Sequence, residues 1–198
     1  MSDPEVVVVP DSEDGFDAIG LRVEADVDAG GWHSNDDSPT HLFWLYERHT
    51  QLGPAIAISQ PDVDRRLMAI HPVPLLDGLA RLMTVVDPTL VGLVVVVEAW
   101  MVIIDPADRA GSAAMLAAAE ERQLRNHAHR VECRQAHLRM LYGVERLITR
   151  VRGAEPTVRT TLGVGLLPET MRTFTSTLLH RQAPDRPGGT FRVDLPRP

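Results

Sequence analysis

The run from Leu90 to Ile104 constrains the fold of this chain more than any other segment. Valine, leucine and isoleucine dominate it, and β-branched side chains favour extended backbone. The run does not alternate polar with apolar, so both of its faces must be covered, which predicts a buried central strand. Asp105-Pro106 ends it. As a helix the run is too short to cross a hydrocarbon layer of roughly 30 Å, and Glu98 interrupts it. Glu98 therefore needs an account. A carboxylate buried alone carries a raised pKa, as general acids do. Otherwise it pairs with an arginine of a neighbouring hairpin or lies at a sheet end near water.

The remaining segments fall around that strand. Phe16, Ile19, Val23 and Val27 have helical spacing, Asp11, Ser12 and Glu13 suit a helix start, and Gly30-Gly31 suits a stop. His41 to Arg48 reads as a strand, with Leu42, Trp44 and Tyr46 on one side and Phe43 and Leu45 on the other. Pro54 to Ser59 suits a second short strand. Leu75, Leu76, Leu79, Leu82, Met83 and Val86 form the broad stripe of a second helix, stopped by Asp87-Pro88. Alanine-rich Ala110 to Asn126 reads as a helix with thin apolar contact. Leu167, Met171, Phe174 and Leu178 mark a C-terminal helix.

Arg130 to Tyr142 and Glu145 to Gly153 read as a hairpin with Gly143-Val144 as a two-residue turn. Pairing across that turn sets Met140 against Leu147, Leu138 against Thr149 and Ala136 against Val151 on a mostly apolar face. The opposite face collects Gln135, His137, Arg139, Arg146, Ile148, Arg150 and Arg152. The expected architecture is α+β: a mixed or mainly antiparallel sheet of about four to five strands, with helices packed mainly on one face. Residues 1–12 are expected as a flexible acidic arm, 13–182 as one domain, and 183–198 as an extended tail rich in Pro, Gly and Arg.

All 20 basic residues are arginine. Without lysine, neither a P-loop nor a Schiff base can form, which excludes Walker-type and lysine-dependent chemistry. The net charge of −7 argues against non-specific nucleic-acid binding. Residues 1–64 hold 14 acids against Arg22 and Arg48, giving −12, so residues 65–198 carry +5. Either the acidic section packs beside the basic one and neutralises it, or the basic section faces an anionic partner. The acidic start Ser2 to Glu5 lacks the pattern of a signal peptide, and no apolar run is long enough for a membrane span. A cytoplasmic location follows as the expectation.

No familiar catalytic constellation stands out. His33, His41 and His49 lie eight apart, matching no ligand pattern, and His127 and His129 form an H-x-H at a helix-to-strand junction. Cys133 is the single cysteine, and His137 lies about two pleat repeats away, too far to act as its base. No G-x-S-x-G, H-E-x-x-H or C-x-x-C occurs. No cofactor and no metal are implied. The arginine face of the hairpin is the best-defined surface, and Arg139, Arg146, Arg150, Arg152 and His137 are its candidate binding residues. An alternative is that the chain's own acidic section covers that face.

Several segments resemble an uncharacterised family of actinobacterial proteins with relatives in actinobacterial phages. They are Gly30-Gly31-Trp32 with His41-Leu42-Phe43-Trp44-Leu45, the helix Leu75 to Met83, Val94-Val95-Val96-Val97-Glu98, and His127 to Arg134. The family has proline and aspartate where this chain has Ala128 and His129. The C-terminal helix after Leu167 also has a counterpart, and the resemblance covers roughly residues 16 to 179. It implies an actinobacterial or phage source, with host cytoplasm or virion as the location, and carries no activity or site residues.

The sequence thus points first to a non-enzymatic protein-interaction or assembly domain, with a protein partner or self-association, no membrane, and any small-molecule ligand left open. One alternative is a hydrolase or metal-dependent enzyme using some of His33, His41, His127, His129, Glu98 and Cys133. Another is nucleic-acid binding through the arginine face.

Overall fold

The computed structural model describes residues 6–7, 13–32, 39–51, 53–61, 71–102, 130–163 and 165–182. In chain order the elements are β1 (Val6–Val7), α1 (Glu13–Asp28), β2 (His41–Thr50), β3 (Gly53–Ser59), α2 (Pro72–Leu82), β4 (Leu90–Val102), β5 (Arg130–Met140), β6 (Glu145–Val151), β7 (Thr157–Arg159) and α3 (Leu166–His180). The fold is α+β. The strands form a seven-stranded sheet in the order β1-β3-β2-β4-β5-β6-β7, and every pair is antiparallel. The sheet is wider than the four to five strands expected. The two edge strands, β1 and β7, are too short to carry a clear alternation pattern. Val6 and Val7 pair with Ala57 and Ile56, so an edge strand stands within the stretch expected as a flexible arm. The expected helix at 110–126, His33, His127, His129 and the 183–198 tail lie outside the described residues.

β4 occupies the middle of the sheet, and its two faces feed two cores. Leu93 and Val95 join Leu42, Trp44 and the apolar stripes of α2 and α3. Val94 and Val96 join Phe43, Leu45 and the α1 residues Phe16, Ile19, Val23 and Val27. This explains the continuous apolar run: β4 is covered on both sides although its sheet is antiparallel. α2 and α3 therefore share one face, and α1 takes the other. Leu82, counted within the α2 stripe, points outward and is 53% exposed. His71 caps α2, its ring nitrogen accepting from the Val73 N–H at 3.4 Å, and Pro72 fits the first turn because its missing donor has no partner to lose there. Ring stacking of Phe174 on Trp44, centroids 6.1 Å apart, seats α3 on β2.

The hairpin register differs from the expected one by three residues. Leu138 faces Arg146, His137 faces Leu147 and Ala136 faces Ile148. An odd slip turns one strand over relative to the other. The turn is longer than two residues: Leu141 continues the pairing with β4 by donating to Val91 O at 2.8 Å, and its side chain is buried. Gly143, at φ 106°, then reverses the chain in a conformation open to glycine. The single arginine face consequently does not exist. Arg146 and Arg150 lie beneath α1, whereas Arg139 and His137 point to the α3 side.

Beneath α1 the charges are matched. Asp17, Glu24 and Asp28 line one flank of the helix beside its apolar stripe. Arg146 pairs with Asp17. Arg150 forks onto Glu24 at 2.7–2.9 Å, and the Arg150 pKa is raised mainly by that hydrogen bond. Arg134, with 0% of its side chain exposed, reaches Asp28 at 2.7 Å and Glu98 at 2.8 Å. It also donates to Gly31 O at 2.7 Å and lies 4.5 Å from the Trp32 ring centroid. The helix sits close enough that a Cβ on Gly20 would fall 2.2 Å from Ile148 Cδ1. Three acids of the N-terminal section, Asp17, Glu24 and Asp28, thus pair with hairpin arginines, and Glu98 is paired with Arg134 of the hairpin.

Removing one member of a buried ion cluster leaves the others uncompensated. Arg134→Met is expected to lower the unfolding free energy by roughly 3–5 kcal/mol in urea titrations, and Arg134→Lys to recover less than half of that, since an ammonium cannot fork between two carboxylates. A loss below about 1 kcal/mol for Arg134→Met would show that the cluster does not anchor α1.

Candidate ligand-binding cleft

On the α3 side of the sheet a cleft lies over a buried polar side chain, His137. Pairing across three strands sets Arg159 beside Leu147 and Leu147 beside His137. The next row out from the turn sets Gln135 beside Val97. Alternation puts all five side chains on the same face. After β7 the chain climbs over them, so that Leu162, Gly163, Leu167 and Pro168 form the opposite wall. The half-open cleft has a volume of about 470 Å³, within the roughly 300–1,000 Å³ range of small-ligand sites. Its lining contains an arginine, a histidine, a glutamine and a threonine, and no carboxylate among the described residues.

Glu145 at the start of β6 fixes the outer wall. It accepts from Leu162 N–H at 3.2 Å and from Arg172 of α3 at 2.8 and 2.9 Å, and it pairs with Arg139. Arg172 in turn donates to Gly163 O at 2.8 Å. The Arg172 hydrogen bond leads in holding the Glu145 carboxyl well below the usual range, at about 2. One carboxylate therefore ties sheet, wall and helix together. Arg139 also donates to Thr175 Oγ1 at 2.8 Å, against α3.

His137 has no such partner. It is 4% exposed, and neither ring nitrogen makes a hydrogen bond among the described residues. Burial pushes its pKa down to about 4, so at neutral pH the ring is uncharged, one nitrogen donating and the other accepting. Arg159, exposed at the end of the same row, makes no ion pair or hydrogen bond among the described residues and lines the cleft.

Of the five candidate binding residues, His137 alone lines this cleft. Arg146 and Arg150 are held beneath α1 and Arg139 by Glu145 and Thr175. Arg152 pairs with Glu132 and lies over Trp32. Arg159 escaped notice because β7 is three residues long and carries no apolar alternation. Of the residues weighed for catalysis, His33, His127 and His129 lie outside the described residues. Glu98 is engaged by Arg134. Cys133 is buried, donates to Ala99 O at 3.5 Å, and has its thiol pushed up to about 11 by burial, which leaves it a poor nucleophile at neutral pH. His41 stands across from Val96 on β2, and no cluster of three or more His, Cys, Asp or Glu residues with metal-binding geometry occurs among the described residues.

The buried imidazole predicts a pH signature. Its folded pKa of about 4 lies below the ordinary value of 6.5, so the unfolded chain takes up the proton first as pH falls. Its effect on stability is absent above about pH 7 and grows as pH drops from 6.5 towards 4, with a limiting slope of roughly 1.4 kcal/mol per pH unit. His137→Leu is expected to remove that part of the slope and to add roughly 1–3 kcal/mol at pH 7, because an orphan polar group is gone. Urea unfolding of both proteins at pH 7 and pH 5 measures this; equal slopes with a destabilised variant would show that the ring is satisfied. Comparison of the chain with protein-family models, curated proteins and solved structures found no significant match to any of them.

Proposed function

We propose that this chain is a non-enzymatic interaction domain that takes a segment of a protein partner into the cleft over β4, β5 and β6. One observation carries the reading: His137 is buried at the cleft floor with both ring nitrogens unsatisfied. Leaving such a group unpaired costs roughly 1–3 kcal/mol. A folded protein that keeps this cost beneath a half-open, mostly apolar cleft recovers it if a bound segment brings a polar atom within reach of the ring. The thiol of Cys133 and the carboxylate of Glu98 are engaged in the fold, which weighs against the hydrolase reading. The pairing of Arg139, Arg146, Arg150 and Arg152 with acids of the same chain weighs against an arginine surface for nucleic acid.

Selection from a displayed library of random peptides tests this. Enriched peptides are expected to shift the amide resonances of Gln135, His137, Leu147 and Leu162, and to bind His137→Leu at least tenfold more weakly. A library that yields no enriched sequence, or peptides whose shifts all fall outside the cleft, would overturn the proposal.

A further inference from the structure

We infer that the cleft recognises a carboxylate joined to an apolar group, and that its occupant is the C-terminus of a partner protein ending in an apolar residue. This rests on the interaction reading above and adds the chemistry of the ligand. The polar groups of the cleft are arranged for an acceptor. Arg159 offers a forked guanidinium in the lining, with no acid of its own chain to hold it among the described residues. Gln135 offers an amide, and His137 lies buried in the floor beside it. Arg159 and His137 share one row with Leu147 of β6 between them, and Gln135 stands one row away on the strand of His137, so a ligand reaching from the Arg159 end towards Gln135 crosses the apolar Leu147.

The absence of carboxylates from the described lining removes the competitor that neutralises the buried Arg134 and Arg146. A carboxylate suits the site better than a phosphate. One arginine supplies the only full charge, and Val97, Leu147 and Leu162 make much of the wall apolar. A bidentate guanidinium–carboxylate pair fixes orientation as well as charge. A chain end presents that carboxylate next to one side chain, and the apolar wall then receives the side chain. Capture of a C-terminal carboxylate is a known mode of peptide recognition.

The test uses acetyl-Gly-Ala-Leu with a free C-terminus, the same peptide amidated, and sodium octanoate, each titrated into the full chain by NMR. The free peptide is expected to shift Gln135, His137, Leu147, Arg159 and Leu162, and the amidated peptide to bind at least tenfold more weakly. Arg159→Gln, a change at an exposed side chain that leaves the amide spectrum otherwise intact, is expected to cost the free peptide the same factor and the amidated peptide little. Equal binding of both peptides in the cleft would overturn the carboxylate assignment while leaving the interaction reading standing. Octanoate binding without peptide binding would overturn the chain-end assignment in favour of a free apolar acid. No shift in the cleft with any of the three, in a protein whose library selection also fails, would overturn both.

Discussion

A guanidinium with no exposed surface organises this protein. Arg134 cannot be buried unless acids meet it, and those acids arrive from two directions: Glu98 from the neighbouring strand and Asp28 from α1, with Glu24 3.7 Å away. The apolar stripe of α1 would hold the helix on the sheet but would tolerate rotation and sliding. Matched charges do not tolerate either, because a displaced helix strands both signs in a low-dielectric setting. Asp17 on Arg146 and Glu24 on Arg150 repeat the device along the helix. Arg134 and Arg150 stand directly opposite each other on β5 and β6, a like-charge pair that is unfavourable by itself. Glu24, fully buried between them, offsets the repulsion.

Much of this fold was legible in the chain. The alternation in β2, the unbroken apolar run of β4 and the stripes of α1 and α3 each describe contacts made by the segment's own side chains, and local pattern suffices for those. The β5–β6 register was not legible, for a nonlocal reason. Ala136, Leu138 and Met140 alternate correctly in either register, and a glycine-led two-residue turn is locally reasonable. The decision lies in Leu141 bonding to Val91 and in acids more than a hundred residues away covering Arg146 and Arg150. The charge asymmetry did contain that information, as the reading in which the acidic section covers the basic one. His137 and Gln135 were visible as polar residues on a strand, but their isolation was not, because a missing partner has no sequence signature. Arg159 and the wall from Leu162 to Pro168 became part of a site only once three strands lay side by side.

The two faces of the sheet handle polar groups in opposite ways. Under α1 the buried cations Arg134 and Arg146 and the buried Glu24 are answered from within the chain, which fixes geometry and leaves little for an outside molecule. On the α3 side, Glu145 draws Arg139 and Arg172 together and ties down the segment above the cleft, while His137, Gln135 and Arg159 are left without partners among the described residues. The wall is thus rigid where it joins the helix and chemically unfinished where it faces the floor, the arrangement expected of a preorganised binding site.

The ion pairs between α1 and the hairpin join residues 106 to 129 positions apart in the chain. Closing loops of that length is entropically costly and is repaid only after both ends have formed. A ribosome adding about 5–20 residues per second makes α1 on the order of ten seconds before the strands that receive it. During that interval the helix has neither its apolar floor nor its cations. Docking of α1 is therefore a late event in the birth of the molecule, and the acids that later lock the helix in place keep the nascent segment charged and soluble while it waits.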